Sequence, residues 1–225
     1  PAEVTLNTTP QGVSVVTQDG QVLGRTPLAL KNLTPGIDYQ FTLSHPRYLS
    51  RDYSFSLPPN ARESIQIPPL ELKSATIEPQ PTFDGQPAND ALAARASYRV
   101  SRNGEDQTRT LTHSQLRNTP LKFGTWSITT THPDYFPVQT TLTLDEDRPY
   151  ALTPNLEPKP ARLTLDVSPN VPIRLTLEGT PLQPADPGAR VAEYPIEPNT
   201  PVVLEATARD HYTVRRTFNL GPNEP

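Results

Sequence analysis

Through residues 1–73 apolar side chains alternate with polar ones, and each alternating run stops at a residue pair suited to a chain reversal. The runs are Val4, Leu6; Val13, Val15; Leu28, Leu30; Tyr39, Phe41, Leu43; Tyr53, Phe55, Leu57; and Ile65, Ile67. A period of two puts one set of side chains on one face of a strand, so the spacing predicts short strands, each with one buried face. Asp19-Gly20 lies between two runs, where a tight hairpin needs residues that tolerate positive φ. Pro35-Gly36 joins a fixed φ to a residue free to take a positive one, which is the preference of a type II turn.

This grammar returns twice. Near the C-terminal end, Pro169 precedes Gly179 at the distance by which Pro10 precedes Gly20, with Ile173, Leu175 and Leu177 filling the strand between. Glu178-Gly179 takes the hairpin position and Pro198-Asn199 that of Pro35-Gly36, Asn being the next best residue for a left-handed backbone. Val202, Leu204 and Ala206 then repeat Tyr39, Phe41 and Leu43. In the middle of the chain Ala75-Thr76-Ile77 matches Val4-Thr5-Leu6, Asn103-Gly104 matches Asp19-Gly20, and Trp126, Ile128 and Thr130 occupy the later strand. Residues 78–94 have no counterpart in the other copies and read as an insertion, to which several alanines, among them Ala91, Ala93 and Ala94, lend helix propensity.

A second echo ties the copies together. His45-Pro46-Arg47-Tyr48-Leu49 and His132-Pro133-Asp134-Tyr135-Phe136 are followed at equal distances by Phe55, Leu57 and by Leu142, Leu144, and the third copy has Asp210-His211-Tyr212 before Phe218 and Leu220. A histidine that recurs at the same corner serves packing and hydrogen bonding rather than a site of its own. Repeats of this length indicate an array of similar units, so the expected fold is all-β, three small antiparallel β-sandwiches at residues 1–73, 74–158 and 159–225. The first boundary, at Leu72-Lys73-Ser74, has almost no linker. At the second, Glu157-Pro158-Lys159-Pro160, alternating prolines favour an extended, semi-rigid connection and hence a rod-like tandem.

Composition narrows the chemistry. The net charge of −4 is spread evenly, without the basic face that nucleic acid or an anionic membrane surface requires. No stretch approaches the ~20 apolar residues that span a bilayer, so no direct membrane insertion is expected within this chain. The absence of Cys removes disulfides and thiolate metal sites. The absence of Met, even at the first position, reads as a fragment or processed chain whose anchor lies outside it.

No His-Glu-x-x-His, no Gly-x-Ser-x-Gly elbow and no phosphate-binding Gly-rich loop is present. His45, His113, His132 and His211 have no carboxylate partners at ligand spacing, and Asp145-Glu146-Asp147 reads as a solvated turn, since three consecutive carboxylates do not supply the spaced oxygens of a calcium loop. Trp126 alternates with Ile128 as a core residue does. No catalytic, cofactor-binding or metal-binding residue is therefore expected, and the residues singled out are structural turns: Asp19, Gly20, Pro35, Gly36, Asn103, Gly104, Glu178, Gly179, Pro198 and Asn199.

Thr9-Pro10, Asp19-Gly20, Gly24-Arg25-Thr26-Pro27-Leu28, Leu33-Thr34-Pro35-Gly36, Tyr39 and Arg47-Tyr48 succeed one another in the order of the PEGA module, which residues 3–72 resemble. The middle copy lacks the Gly-x-Thr-Pro element, with Asn118-Thr119-Pro120-Leu121 as a displaced remnant, and the third has Glu197-Pro198-Asn199 for the usual turn. The resemblance implies extracytoplasmic β-sandwiches, as found in tandem on bacterial lipoproteins and on the outer portions of membrane-bound Ser/Thr kinases and receptors. It implies a non-catalytic stalk or a protein-binding, sensory ectodomain of the bacterial envelope, periplasmic or at the cell surface, tethered by an anchor outside this chain, whose partner is a protein or a cell-wall component. The alternative is a module that binds cell-wall glycan through an open sheet face or through the middle insertion.

Overall fold

The computed structural model describes residues 1–166, 173–181, 191–208 and 212–224. The chain is all-β, with many short strands and two helices of one to two turns among the described residues. It forms two compact units, one of Pro1–Ile77, Thr119–Thr125 and Thr143–Tyr150, the other of Glu78–Asn118, Trp126–Leu142 and Ala151–Pro225.

The first unit opens with seven strands: β1 (Ala2–Asn7), β2 (Ser14–Thr17), β3 (Val22–Arg25), β4 (Leu28–Leu33), β5 (Tyr39–His45), β6 (Tyr48–Phe55) and β7 (Arg62–Gln66). They make two sheets, ordered β3-β2-β5-β6 and β4-β1-β7. Pairing is antiparallel except between β1 and β7, which run parallel with Leu6 opposite Ile65, so the first and last strands of the repeat lie side by side in the same direction. The inward positions of the alternating runs supply the core, with Val4, Leu6, Val15, Phe41, Leu43, Leu57 and Ile67 all buried. Each such side chain removed from water contributes roughly 1.5–3 kcal/mol, which is why the period of two specifies the faces so firmly.

Further along, Ser74–Ala75 pairs with Leu121–Lys122 in the same unit, and Leu121 and Phe123 are buried. The acidic run is a turn held by Tyr150, whose hydroxyl accepts from the backbone N–H groups of Asp145 (3.1 Å) and Glu146 (2.9 Å) and donates to the Asp145 carboxylate (2.6 Å). The Arg148 guanidinium lies 4.4 Å from the centre of that ring.

In a sheet that lies mostly in the second unit, Ser97–Arg102 pairs with Thr108–Thr112 and with Gly124–His132, which pairs in turn with Tyr135–Leu144. Tyr98, Val100, Trp126 and Ile128 are buried on the inward face, and Trp126 is a core residue at 3% exposure. The helix α1 (Asp90–Arg95) lies inside the insertion, capped by Asn89, whose side chain accepts from the Leu92 N–H. A second helix, α2 (His113–Asn118), starts at a capping box in which the Thr112 hydroxyl accepts from the Gln115 N–H and the Gln115 amide oxygen from the Thr112 N–H.

The third four-stranded sheet, Thr180–Pro181, Ile173–Leu177, Val202–Ala208 and Val214–Phe218, has the strand order of the other two. Its register repeats that of the first, since Val202 faces Phe218 as Tyr39 faces Phe55. Ala161–Asp166 pairs with Val191–Ile196, and Ala161, Leu163, Tyr194, Ile196 and Val202 form a small core. Pro169, Asp210 and His211 lie outside the described residues.

Candidate functional site

The turn residues occupy separate chain reversals, and each pair finds its own geometry. At the first hairpin the Thr17 carbonyl accepts from the Gly20 N–H (3.0 Å), the Thr17 N–H donates to Gln21 (2.9 Å), and only Gly20, at φ +86°, is left-handed. This is a turn ending in a left-handed glycine, not a pair of left-handed central residues; the Asp19 carboxylate instead accepts from the Thr17 hydroxyl, which holds its pKa below the usual carboxylate range. At Asn103-Gly104 the Glu105 N–H closes on the Arg102 carbonyl (3.1 Å) with Gly104 at φ +84°. Glu178 and Gly179 are both left-handed, at +49° and +76°, between the paired Leu177 and Thr180.

Pro35-Gly36 and Pro198-Asn199 are the same device with different residues. Gly36 at φ +75° donates its N–H to the Leu57 carbonyl (2.9 Å), and Asn199 at φ +57° donates to the Leu220 carbonyl (2.7 Å).

The two His-Pro corners form the most elaborate repeated arrangement. In the first, His45 Nδ1 accepts from the Arg47 N–H (3.2 Å), and its ring meets Tyr48 edge-on at 5.0 Å. In the second, His132 Nδ1 accepts from the Asp134 N–H (3.2 Å), and its ring meets Tyr135 edge-on at 5.1 Å. Each corner is then bonded to a segment further along the chain. Leu49 N–H donates to Glu71 (2.8 Å) and Lys73 N–H to Arg47 (3.0 Å); Phe136 N–H donates to Glu157 (2.8 Å) and Lys159 N–H to Asp134 (3.0 Å). The residue between the two bonds, Leu72 in one case and Pro158 in the other, offers no N–H to this ladder, so proline is tolerated there.

The corners differ in cover. His45 and Tyr48 are half-exposed, whereas His132 and Tyr135 are buried. The insertion supplies Phe83, edge-on to His132 at 5.1 Å and to Tyr135 at 4.6 Å, and Leu156, Ala88, Leu92 and Val138 complete the cluster. Arg95 of α1 pairs with Asp134 (2.8 Å), and Lys159 Nζ donates to the Pro133 carbonyl (2.6 Å). Burial, with Arg95 and Lys159 nearby, holds the His132 pKa below the usual 6.5 despite Asp134, and burial pushes the Tyr135 phenol up. His132 Nε2 is buried without a hydrogen-bond partner.

Immediately after the two corner tyrosines stand exposed apolar side chains, Leu49 at 50% and Phe136 at 47%, and Tyr212 is exposed at 97%. Separately, the insertion walls a cleft of about 440 Å³ with Pro79, Pro81 and Pro87, whose lining also includes Gln80, Asp90 and His113. The His113 ring is tied through Nδ1 to the buried Tyr98 hydroxyl (3.1 Å), and burial and Arg117 lower its pKa while Asp90 opposes them. Among the described residues no three His, Asp or Glu side chains gather as a metal site, and no helix is long and apolar enough to cross a membrane.

No protein-family model matches the chain, and no curated protein matches its sequence. Among solved structures the chain is similar to the Bacillus anthracis TIE protein, with a TM-score of 0.47 and 11% identity over 99% of this chain and 48% of that one. It is similar also to the pilus adhesin SpaC from Lactobacillus rhamnosus GG, with a TM-score of 0.31 and 10% identity over 98% of this chain and 38% of that one. A streptococcal ancillary pilin gives a TM-score of 0.31 and 9% identity over 100% and 99% of the two chains. The chain thus spans less than half the length of the first two.

Proposed function

We propose that this chain is a non-catalytic array of three PEGA-like β-sandwich repeats, at residues 1–73, 74–158 and 159–225, acting as the stalk or protein-binding ectodomain of a bacterial envelope protein. The observation that carries the reading is the pair of backbone hydrogen bonds with which a corner holds its own exit segment, at residues 47–49 with 71–73 and again at 134–136 with 157–159. A segment bonded into its repeat at two points does not act as a free hinge. The exposed Leu49, Phe136 and Tyr212 give each repeat an apolar contact point of the kind protein partners use. Extracytoplasmic placement, an anchor outside the chain and a sensory role in a membrane-bound Ser/Thr kinase are further parts of this proposal, drawn from the PEGA resemblance.

Pulling the chain from its two ends in a force spectrometer tests the array. Three separate unfolding steps are expected, each releasing on the order of 220–300 Å at ~3.3–3.6 Å per residue. One or two larger steps would overturn the three-repeat reading.

The proline-walled cleft of the insertion favours a second reading, the binding of a cell-wall glycan. It combines apolar ring faces with an amide, a carboxylate and an imidazole, and its lining contains no Lys or Arg, a set suited to a neutral polyhydroxylated ligand. Titrating labelled chain with N,N′-diacetylchitobiose should shift the Asp90 and His113 resonances if the reading holds. An unchanged spectrum at millimolar sugar removes it.

A further inference from the structure

We propose that the second corner is an acid-sensitive latch, which holds the exit segment Glu157-Pro158-Lys159 at neutral pH and releases it when His132 takes up a proton. The inference rests on the exit-segment contacts behind the proposed function and adds a condition under which one of them opens.

The hydrogen bond at Nδ1 fixes the protonation state of the ring. That nitrogen accepts the Asp134 N–H at 3.2 Å, which requires its lone pair, so the imidazole is neutral with its proton on Nε2. A second proton has only Nδ1 to bind, and once there it faces another N–H. The bond that shapes the corner is then lost, and Asp134 is the residue whose carbonyl receives the Lys159 N–H. Proton uptake and release of the exit segment therefore act through the same residue.

The surroundings make the charged ring costly. The His132 side chain is fully buried, and the rings of Phe83 and Tyr135 pack against it at steep angles in place of water that would solvate a charge. The charged and titratable groups facing it are Arg95 from α1, Asp134 and Tyr135 from the corner, Lys159 from the exit segment, and Asp84 from the insertion turn beside Tyr135. Two are cations. The nearest anion, Asp134 Oδ2, lies 3.9 Å from Nδ1 but is engaged by Arg95 at 2.8 Å.

Burial and the cations hold the folded-state pKa below the usual 6.5. A group with a depressed folded pKa leaves the unfolded or opened state binding more protons, so the closed form is favoured above pH 6.5 and loses ground as pH falls toward the folded value. The loss is up to about tenfold in the opening equilibrium per pH unit. At the first corner His45 makes the same Nδ1 contact but is only partly buried and has no insertion over it.

The test is amide hydrogen exchange of the whole chain at pH 7.5 and pH 5.0, corrected for intrinsic rates, both above the ordinary carboxylate pKa values. Opening at Phe136 and Lys159 should rise as the pH falls over that interval, by at most about tenfold per pH unit. In His132→Asn the amide oxygen can accept the same N–H two residues on, as in an Asx turn, but does not titrate. That variant should protect Lys159 equally at both pH values. Constant exchange at Lys159 in the wild type, or a wild-type rise in H132N, each overturns the latch. Should H132N not fold, the imidazole titration of the wild type followed by NMR decides: a midpoint coincident with the Lys159 opening supports the latch, and an unrelated midpoint refutes it. Lack of protection at Lys159 already at pH 7.5 would instead remove the pinned exit segment on which the proposed function rests.

Discussion

Replacing Gly36 by Val isolates the energetic worth of one left-handed residue. An added Cβ at Gly36 meets no atom within 4 Å, and the N–H bond to Leu57 does not involve the side chain. The cost is therefore conformational alone: a β-branched residue held at φ +75° is strained by about 1–3 kcal/mol. By the factor of ten per 1.4 kcal/mol, this is roughly 5- to 150-fold faster exchange for amides that open with the first repeat. Exchange measured by mass spectrometry on peptides from residues 39–57 reads that change, and peptides from 202–208 serve as the unaffected control. The third repeat supplies the compensating substitution, because Asn199 occupies the same turn at φ +57°. Gly36→Asn should thus stay within about 1 kcal/mol of the wild type, asparagine being the other residue that visits this region readily. Equal exchange in Gly36→Val and the wild type, or equal loss in the Val and Asn variants, would refute the reasoning.

Truncating Phe83 to Ala should destabilise the second corner by about 3–5 kcal/mol, since Phe83 is 4% exposed and touches both His132 and Tyr135; denaturant unfolding read through Trp126 measures it. Thr26→Val should cost about 1–3 kcal/mol, because the buried Thr26 hydroxyl accepts the Val13 N–H (3.2 Å) and pairs with Thr8 Oγ1 (2.5 Å), and the thermal unfolding of residues 1–73 reports it.

Much of the strand layout was legible because burial enforces the period of two. The alternating runs of residues 1–73 supply the buried positions of the first core, and Trp126 lies where its alternation with Ile128 places it. The segment 89–96 holds α1, as its alanines indicated, but α2 was not foreseen. Its signal was present in Thr112-His113-Ser114-Gln115, a capping box hidden behind a strand-like Thr-x-Thr run. The hairpins were legible as reversals but not in detail, since Asp19-Gly20 and Glu178-Gly179 share a final glycine and differ in whether the preceding residue is left-handed. The repeated His-Pro corner was visible, whereas its hold on the exit segment was not. That hold is made of backbone N–H and carbonyl groups, which every residue but proline carries alike, so no side-chain pattern announces it.

The central claim is that each corner binds the segment leaving its own repeat, and site-resolved amide exchange at pH 7.5 tests it most directly. The account predicts slow exchange at Leu49, Lys73, Phe136 and Lys159, all of which donate to carbonyls 2.8–3.0 Å away. Exchange at Lys73 and Lys159 as fast as in an unstructured peptide would contradict it.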